Sequence, residues 1–248
     1  MVDGEVVHGV LRGHEKDPPD SVLALRLMGA VHRLVLRGDA PALSAHYPSV
    51  GGEPHDPWPA FLDTLREHAP ELRRLIQHPV QTNEPGRCAA LLGGFLEVAR
   101  ATGLPLRLLE VGTSAGLNLR FDRYRYLLGE ERWGPRESPV VIRTRLAGGA
   151  PPLGVPLRIA ARSGCDARPV DPGSEEGRLT LTSYVWADQL ERLARLRAAL
   201  EVAAETDAEV ERAGAAQWIE ARLAEPAPGA ATVVFPFDRH AVPAARRA

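Results

Sequence analysis

The sequence predicts an α/β chain, a doubly wound and mostly parallel sheet behind an N-terminal helical region. Apolar residues before residue 103 recur at helical spacing. Beyond it, short apolar runs at 106–111, 157–162 and 231–235 have the length of buried parallel strands. Those runs alternate with helical segments, the order that βα units require. The expected division is therefore 1–102, helical, and 103–248, α/β.

The first helix is read at 21–37, "SVLALRLMGAVHRLVLR", with Ser21 as its cap and Gly38 as its stop. Proline and glycine crowd "HYPSVGGEPHDPWP" into a loop, and 59–77 reads as a second amphipathic helix starting near Pro59. A third helix spans 83–102, and Pro105 ends it. Residues 106–111 form the first strand, 117–127 suit a helix, and 157–162 make a second strand. A strongly periodic helix at 188–204 carries Leu190, Leu193, Leu196 and Leu200 on a core-facing stripe. Trp186, Asp188 and Gln189 at its start are placed to cover a pocket, or Asp188 serves as a helix N-terminal acid. Residues 231–235, "ATVVF", close the series.

Composition narrows the function classes. A chain of 248 residues, 44% hydrophobic and 25% charged, can bury a substantial core, and a net charge of -2 leaves no footprint for nucleic acid or an anionic membrane. A small-molecule substrate is the expected partner; the oligomeric state stays open. Cys88 and Cys165 lack C-x-x-C spacing, the histidines lack metal spacing, and no metal is expected. Asp3 and Glu5 stand where a signal peptide would be basic, and no apolar run approaches the roughly 18 residues of a membrane span, so the expected compartment is the cytoplasm.

The chemistry concentrates in "LLEVGTSAGLNLRF", 108–121, a strand running into a glycine turn. Two readings fit it. In the first, Gly112 and Gly116 let backbone approach a cofactor, Glu110 orients the loop or a bound amine, and helix-terminal N–H groups remain free as donors. This E-x-G-x-S-x-G resembles the acidic strand and glycine turn of class I methyltransferases that use S-adenosylmethionine, with Ser114 replacing the middle glycine, and implies a Rossmann-like, methyltransferase-like sheet. Gly164-Cys165-Asp166 resembles the G-x-D whose carboxylate accepts both ribose hydroxyls. Asp166 lies roughly fifty residues beyond the turn, against about twenty in ordinary units, so an insertion is expected around "GEERWGPRESPV". Asp171 is a second candidate, and an Asx turn before Pro169 is the structural alternative for Asp166. In the second reading G-x-S-x-G is a nucleophile elbow, with Ser114 as nucleophile, His240 as base and Asp171, Asp188, Asp207 or Asp238 as acid.

"VQTNEPGRCAALL", "LLEVGTSAGLNLRFDRYRY", "GCDARPVD" and "YVWADQLERLARLRAAL" together resemble a bacterial family, domain of unknown function 2332. The resemblance implies a methyltransferase-like domain with a helical N-terminal region and no assigned substrate. The cofactor site expected from the methyltransferase-like motif is Glu110, Gly112, Thr113, Ser114, Gly116, Asn118 and Asp166. Gln81, Asn83, Arg87, Arg123 and Tyr124 are candidate pocket residues, with Thr82 or Asn83 alternatively capping the third helix. At the position expected to contact the adenine amino group stands Gly214. With that contact missing and no evident acid/base pair in the sequence, the alternative function is a non-catalytic adenosyl-ligand-binding or interaction domain.

The last segment, "PFDRHAVPAARRA", 236–248, is polar and rich in Pro and Arg where a buried strand should lead onward. The expectation is a fold incomplete at its C-terminus with this tail out of frame. Suitable codons read one base on give His-Ser-Ile-Val-Met-Gln-Tyr-Leu, an apolar continuation. His240 would then be an accident of frame, and Val233, Val234 and Phe235 would be poorly covered.

Overall fold

The computed structural model describes residues 3–145 and 149–236. In chain order α1 (Asp3–Leu11), α2 (Leu23–Arg37), α3 (Pro41–Ser44), α4 (Trp58–Glu67), α5 (Ala69–Leu75) and α6 (Cys88–Thr102) lead to β1 (Leu106–Val111). Then come β2 (Arg125–Leu128), β3 (Glu131–Trp133), β4 (Val141–Thr144), β5 (Ile159–Asp166), α7 (Glu175–Ser183), α8 (Leu190–Glu205), β6 (Glu209–Arg212), α9 (Ala215–Ala224) and β7 (Ala231–Pro236). Two compact units divide the chain: residues up to Thr82 with Glu175–Ala194, and Asn83–Ser174 with the residues from Arg195 on. The junction expected at 102/103 falls at 82/83 instead, because α6 packs on β7 and on the 3-10 turns Pro85–Arg87 and Leu117–Arg123.

The first unit is helical. Leu27, Val31, Leu34 and Val35 of α2 form the buried stripe its spacing predicts, joined by Leu43, Leu65, Leu72 and Ile76. Ser21 does not cap α2: it ends a 3-10 turn, and Val22 takes the cap position without a side-chain cap bond. The single helix expected over 59–77 is two, α4 and α5, meeting at His68. Pro70 is the reason, since it has no N–H to continue the ladder and is tolerated only in a first turn. Arg26 is buried at 7% exposure, its Nε donating to Ile76 O at 2.6 Å and its Nη1 to Asp17 at 2.8 Å. Helix α7, which periodicity did not reveal, packs on α2, where Arg33 reaches Thr180 and Glu176.

The second unit is mixed α/β. Four parallel strands lie in the order β6-β5-β1-β7. β1 is buried along nearly its whole length, as a strand covered on both faces must be, which is why its sequence runs apolar rather than alternating. The helix expected over 117–127 is the 3-10 turn Leu117–Arg123 followed by β2: Tyr124 turns extended at φ -96°, ψ 149°, and β2 then pairs antiparallel with β3 and parallel with β4. This three-stranded sheet fills the insertion expected between the glycine turn and Asp166. Its contact with the main core is aromatic, Phe121 lying 4.3 Å from Phe95 and 6.2 Å from Trp133 between ring centroids. Phe235 of β7 is buried against Phe95 at 5.1 Å, whereas Val234 is 41% exposed, so the poor cover expected of β7 applies to Val234 and not to Phe235. In α8, Leu193, Leu196 and Leu200 are buried, while Leu190, its first residue, is half exposed. The tail 237–248, with His240 and Asp238, lies outside the described residues.

Candidate functional site

The site is built where β1 and β5 end. A carboxylate in a central strand must find donors or stay neutral. Glu110, fully buried, accepts from the Thr113 hydroxyl and from Asn118 Nδ2 at 3.2 Å. Burial outweighs both bonds and pushes its carboxyl up to about 7. Cys88 Sγ donates to Asn118 Oδ1 at 3.1 Å, which fixes the amide so that its NH2 faces Glu110.

The turn adopts the left-handed region three times, at Gly112 (φ 69°), Ser114 (φ 53°) and Gly116 (φ 69°). Glycine is needed at Gly116 for a second reason: a Cβ there would stand 3.0 Å from Val210 Cγ2 and 3.2 Å from Arg120 Nη1. Gly164 lets β5 approach the turn, since a Cβ would lie 2.9 Å from Thr113 Cβ. Ser114 is the turn's one non-glycine left-handed residue. Ser114→Gly should therefore be tolerated or stabilise by about 0.5–1 kcal/mol in thermal melts, and a loss of more than that would assign its hydroxyl a structural bond that outweighs backbone strain.

The expectation of free N–H donors is corrected. Gly112 N–H and Thr113 N–H both donate to Cys165 O at 2.8 and 3.0 Å, Gly116 N–H to Thr113 O at 2.8 Å, and Leu117 N–H to Asn83 Oδ1 at 2.8 Å. Ser114 N–H donates to Asp166 Oδ2 at 2.9 Å, and Arg168 N–H to Asp166 Oδ1 at 2.8 Å. Asp166 thus makes the Asx turn and also clamps the glycine turn. A peptide turn this crowded meets its acceptors inside the chain because buried N–H groups are costly to leave unpaired.

Of the residues singled out in the sequence, Glu110, Gly112, Thr113, Ser114, Gly116, Asn118, Asp166 and Asn83 converge. Others stand apart. Glu84 caps the 3-10 turn through Gly86 N and pairs with Arg195 Nε at 3.0 Å, and Arg87 is exposed. Gln81 belongs to the helical unit. Arg123 is exposed beside Asp122, while Tyr124 is a core residue whose hydroxyl donates to Leu117 O at 2.5 Å. Asp171 forms an exposed turn with Gly173. Sequence reasoning missed Arg120, whose buried guanidinium bonds Gly116 O and Thr206 O, both at 2.8 Å, and is pulled below its ordinary value by burial. The signal available was its place four residues after Gly116, one turn on.

Among the described residues no group of three or more His, Cys, Asp or Glu could hold a metal ion, both cysteines are free and buried, and no helix is long and apolar enough to cross a membrane. Fold and site together define a mixed α/β protein with two carboxylates bracketing a glycine turn at the ends of parallel strands. The model of the family described as "Uncharacterized protein conserved in bacteria (DUF2332)" matches residues 2–242, and the chain belongs to that family. Comparison with the curated proteins and with the solved structures gave no match.

Proposed function

We propose that this chain binds S-adenosylmethionine or a related adenosyl ligand at the Gly112–Gly116 turn and transfers its methyl group to a small acceptor. The observation that carries the reading is the placing of Glu110 and Asp166 on either side of that turn at the carboxyl ends of β1 and β5. The sheet supports it. Taken in chain order, β1, β5, β6 and β7 lie third-second-first-fourth, so strand addition reverses beside β1, and Rossmann-like, methyltransferase-like sheets bind nucleotides at such a reversal.

The residues present fit an adenosyl amino acid. Asp166 has one bond to each oxygen, leaving lone pairs for ribose hydroxyls. Asn83 Nδ2 is buried with no partner, an unspent donor beside the turn. Glu110 shapes the turn through Thr113 and Asn118 rather than by touching solvent. The bound ligand would supply an electrophilic methyl on sulfur; the chain's task is to hold an acceptor in line with it and to keep water out. Calorimetry with S-adenosylmethionine and its demethylated product should give measurable heats for both, and no heat with either overturns the proposal.

A second reading, adenosyl binding without catalysis, is favoured by Gly214. It occupies the position expected to read the adenine amino group, a Cβ there would touch nothing within 4 Å, and it serves as the α9 cap. Heats with both ligands and no methyl transfer to any acceptor would select this reading. The elbow reading has Ser114 at 2% exposure and its base, His240, outside the described residues. A fluorophosphonate probe should leave Ser114 unlabelled.

A further inference from the structure

The helical unit holds a cavity of about 320 Å3, within the size range of small-ligand sites, and it is lined wholly by residues of that unit. Its walls are apolar and aromatic, including Met28, Tyr47, Tyr184 and Trp186. They are firmly built. His32 donates from Nδ1 to Ser183 O at 3.2 Å, and its Nε2 meets Ser49 Oγ at 2.8 Å, tying α2 to the segments on either side. The carbonyl can only accept, so Nδ1 carries a proton in that bond. The His32 ring lies 5.5 Å from that of Tyr47, and Gly29 leaves room for Tyr184 to lie against α2, where a Cβ would strike the ring. Trp186, by contrast, is 44% exposed, a large aromatic left at the mouth of an apolar cavity.

Charge sets the ligand class. Among the described residues the lining contains one acidic residue, Asp188, two histidines, His32 and His46, and neither lysine nor arginine. Tyr47 and Tyr184 are held neutral, burial pushing the Tyr47 hydroxyl up to about 12 and raising that of Tyr184. An anion would meet the exposed Asp188 carboxylate and the negative faces of aromatic rings, and the imidazoles and tyrosine hydroxyls would offer it hydrogen-bond donors but no permanent positive charge. A cation on an apolar body would meet the same groups with the opposite sign, the ring faces attracting it and Asp188 pairing with it.

We infer that this cavity, framed by Tyr47, Tyr184, Trp186 and Asp188, binds a small organic ammonium ion with an apolar or aromatic body. The site is independent of the glycine turn and does not rest on the function proposed for it.

Three probes sharing a phenylethyl body test the inference on the full chain: 2-phenylethylammonium, 2-phenylethanol and 3-phenylpropionate, titrated by calorimetry and by the indole N–H resonance of Trp186, assigned with Trp186→Phe. The ammonium should bind about fivefold or more tighter than the alcohol, as an exposed ion pair with a cation–π contact allows, with the carboxylate weakest. The Trp186 resonance should shift during the titration. Asp188→Asn should bring ammonium and alcohol within about twofold of each other, since only the charge is removed. The wild-type ranking tests the idea even if the variant is poorly folded. Equal affinities for the three probes, no binding at millimolar concentration, or a silent Trp186 resonance would overturn it.

Discussion

Glu110→Gln is expected to gain on the wild-type protein by about 3 kcal/mol as pH rises from 4.5 to 7.5. The carboxyl of Glu110 titrates near 4.5 when unfolded and about 7 when buried in β1. Between those values the folded chain holds the proton and the unfolded chain has released it. Stability from this group is therefore complete below about pH 4.5, falls as pH rises, and is lost by about pH 7. Glutamine fills the same space and has no proton to lose, so its stability should lack that slope. Urea denaturation at about pH 4.5 and 7.5, with hydrogen exchange of the β1 amides as a local readout, checks the difference. Parallel pH profiles for the two proteins would show that Glu110 is ionised and solvated, against its complete burial. Glu110→Ala should be worse at every pH, since it strands the Thr113 hydroxyl and Asn118 amide at about 1–3 kcal/mol each and leaves a cavity.

Asp166→Ala should act twice. In the free protein it removes the acceptor of Ser114 N–H and Arg168 N–H, which should cost about 1–2 kcal/mol, mostly at the part-buried Ser114, since water can reach the exposed Arg168 N–H. In the presence of an adenosyl ligand it should also remove the ribose contacts, weakening binding by about tenfold or more for each charge-assisted bond lost. Asp166→Asn separates the effects: it keeps one carbonyl acceptor and much of the clamp, but cannot accept both hydroxyls as a carboxylate does. Melting temperature with and without ligand, plus calorimetric affinity, distinguishes them. If Asp166→Asn binds adenosyl ligands as well as wild type, the carboxylate closes a turn and nothing more. Asp171→Ala, altering only an exposed turn, is the control and should match wild type in affinity.

Legibility followed the range of the interaction. Leu106–Val111 and Ala231–Phe235 could be read because strand burial leaves a continuous apolar run, and 88–102 and 190–205 because a helix face repeats in sequence. Helix α7 and strand β6 could not, being short, mixed in polarity and dependent on neighbours distant in the chain for their burial. "FDRYRY" shows the same limit, its charges and tyrosines reading as a two-faced helix until β3 and β4 claim Arg125 and Tyr126 as strand.

At the site, the strand-turn pattern marked the glycines, because left-handed turns select glycine, whereas Glu110 and Asp166 were marked by resemblance to the acidic strand and G-x-D of methyltransferases. Contacts across 34 to 86 residues were decided only in three dimensions: the Asp166 clamp on Ser114, the Asn83 bond to Leu117 and the Arg120 bridge to Thr206 each join segments whose sequences carry no mark of one another. The same holds for the cavity of the helical unit, whose walls are drawn from four separate stretches of chain and bring Asp188 together with Met28 and Tyr47. Local backbone preference and side-chain polarity are properties of a residue and its near neighbours, and so are written in order along the chain. Which buried donor meets which acceptor depends on long-range packing, and the chain settles it only on folding.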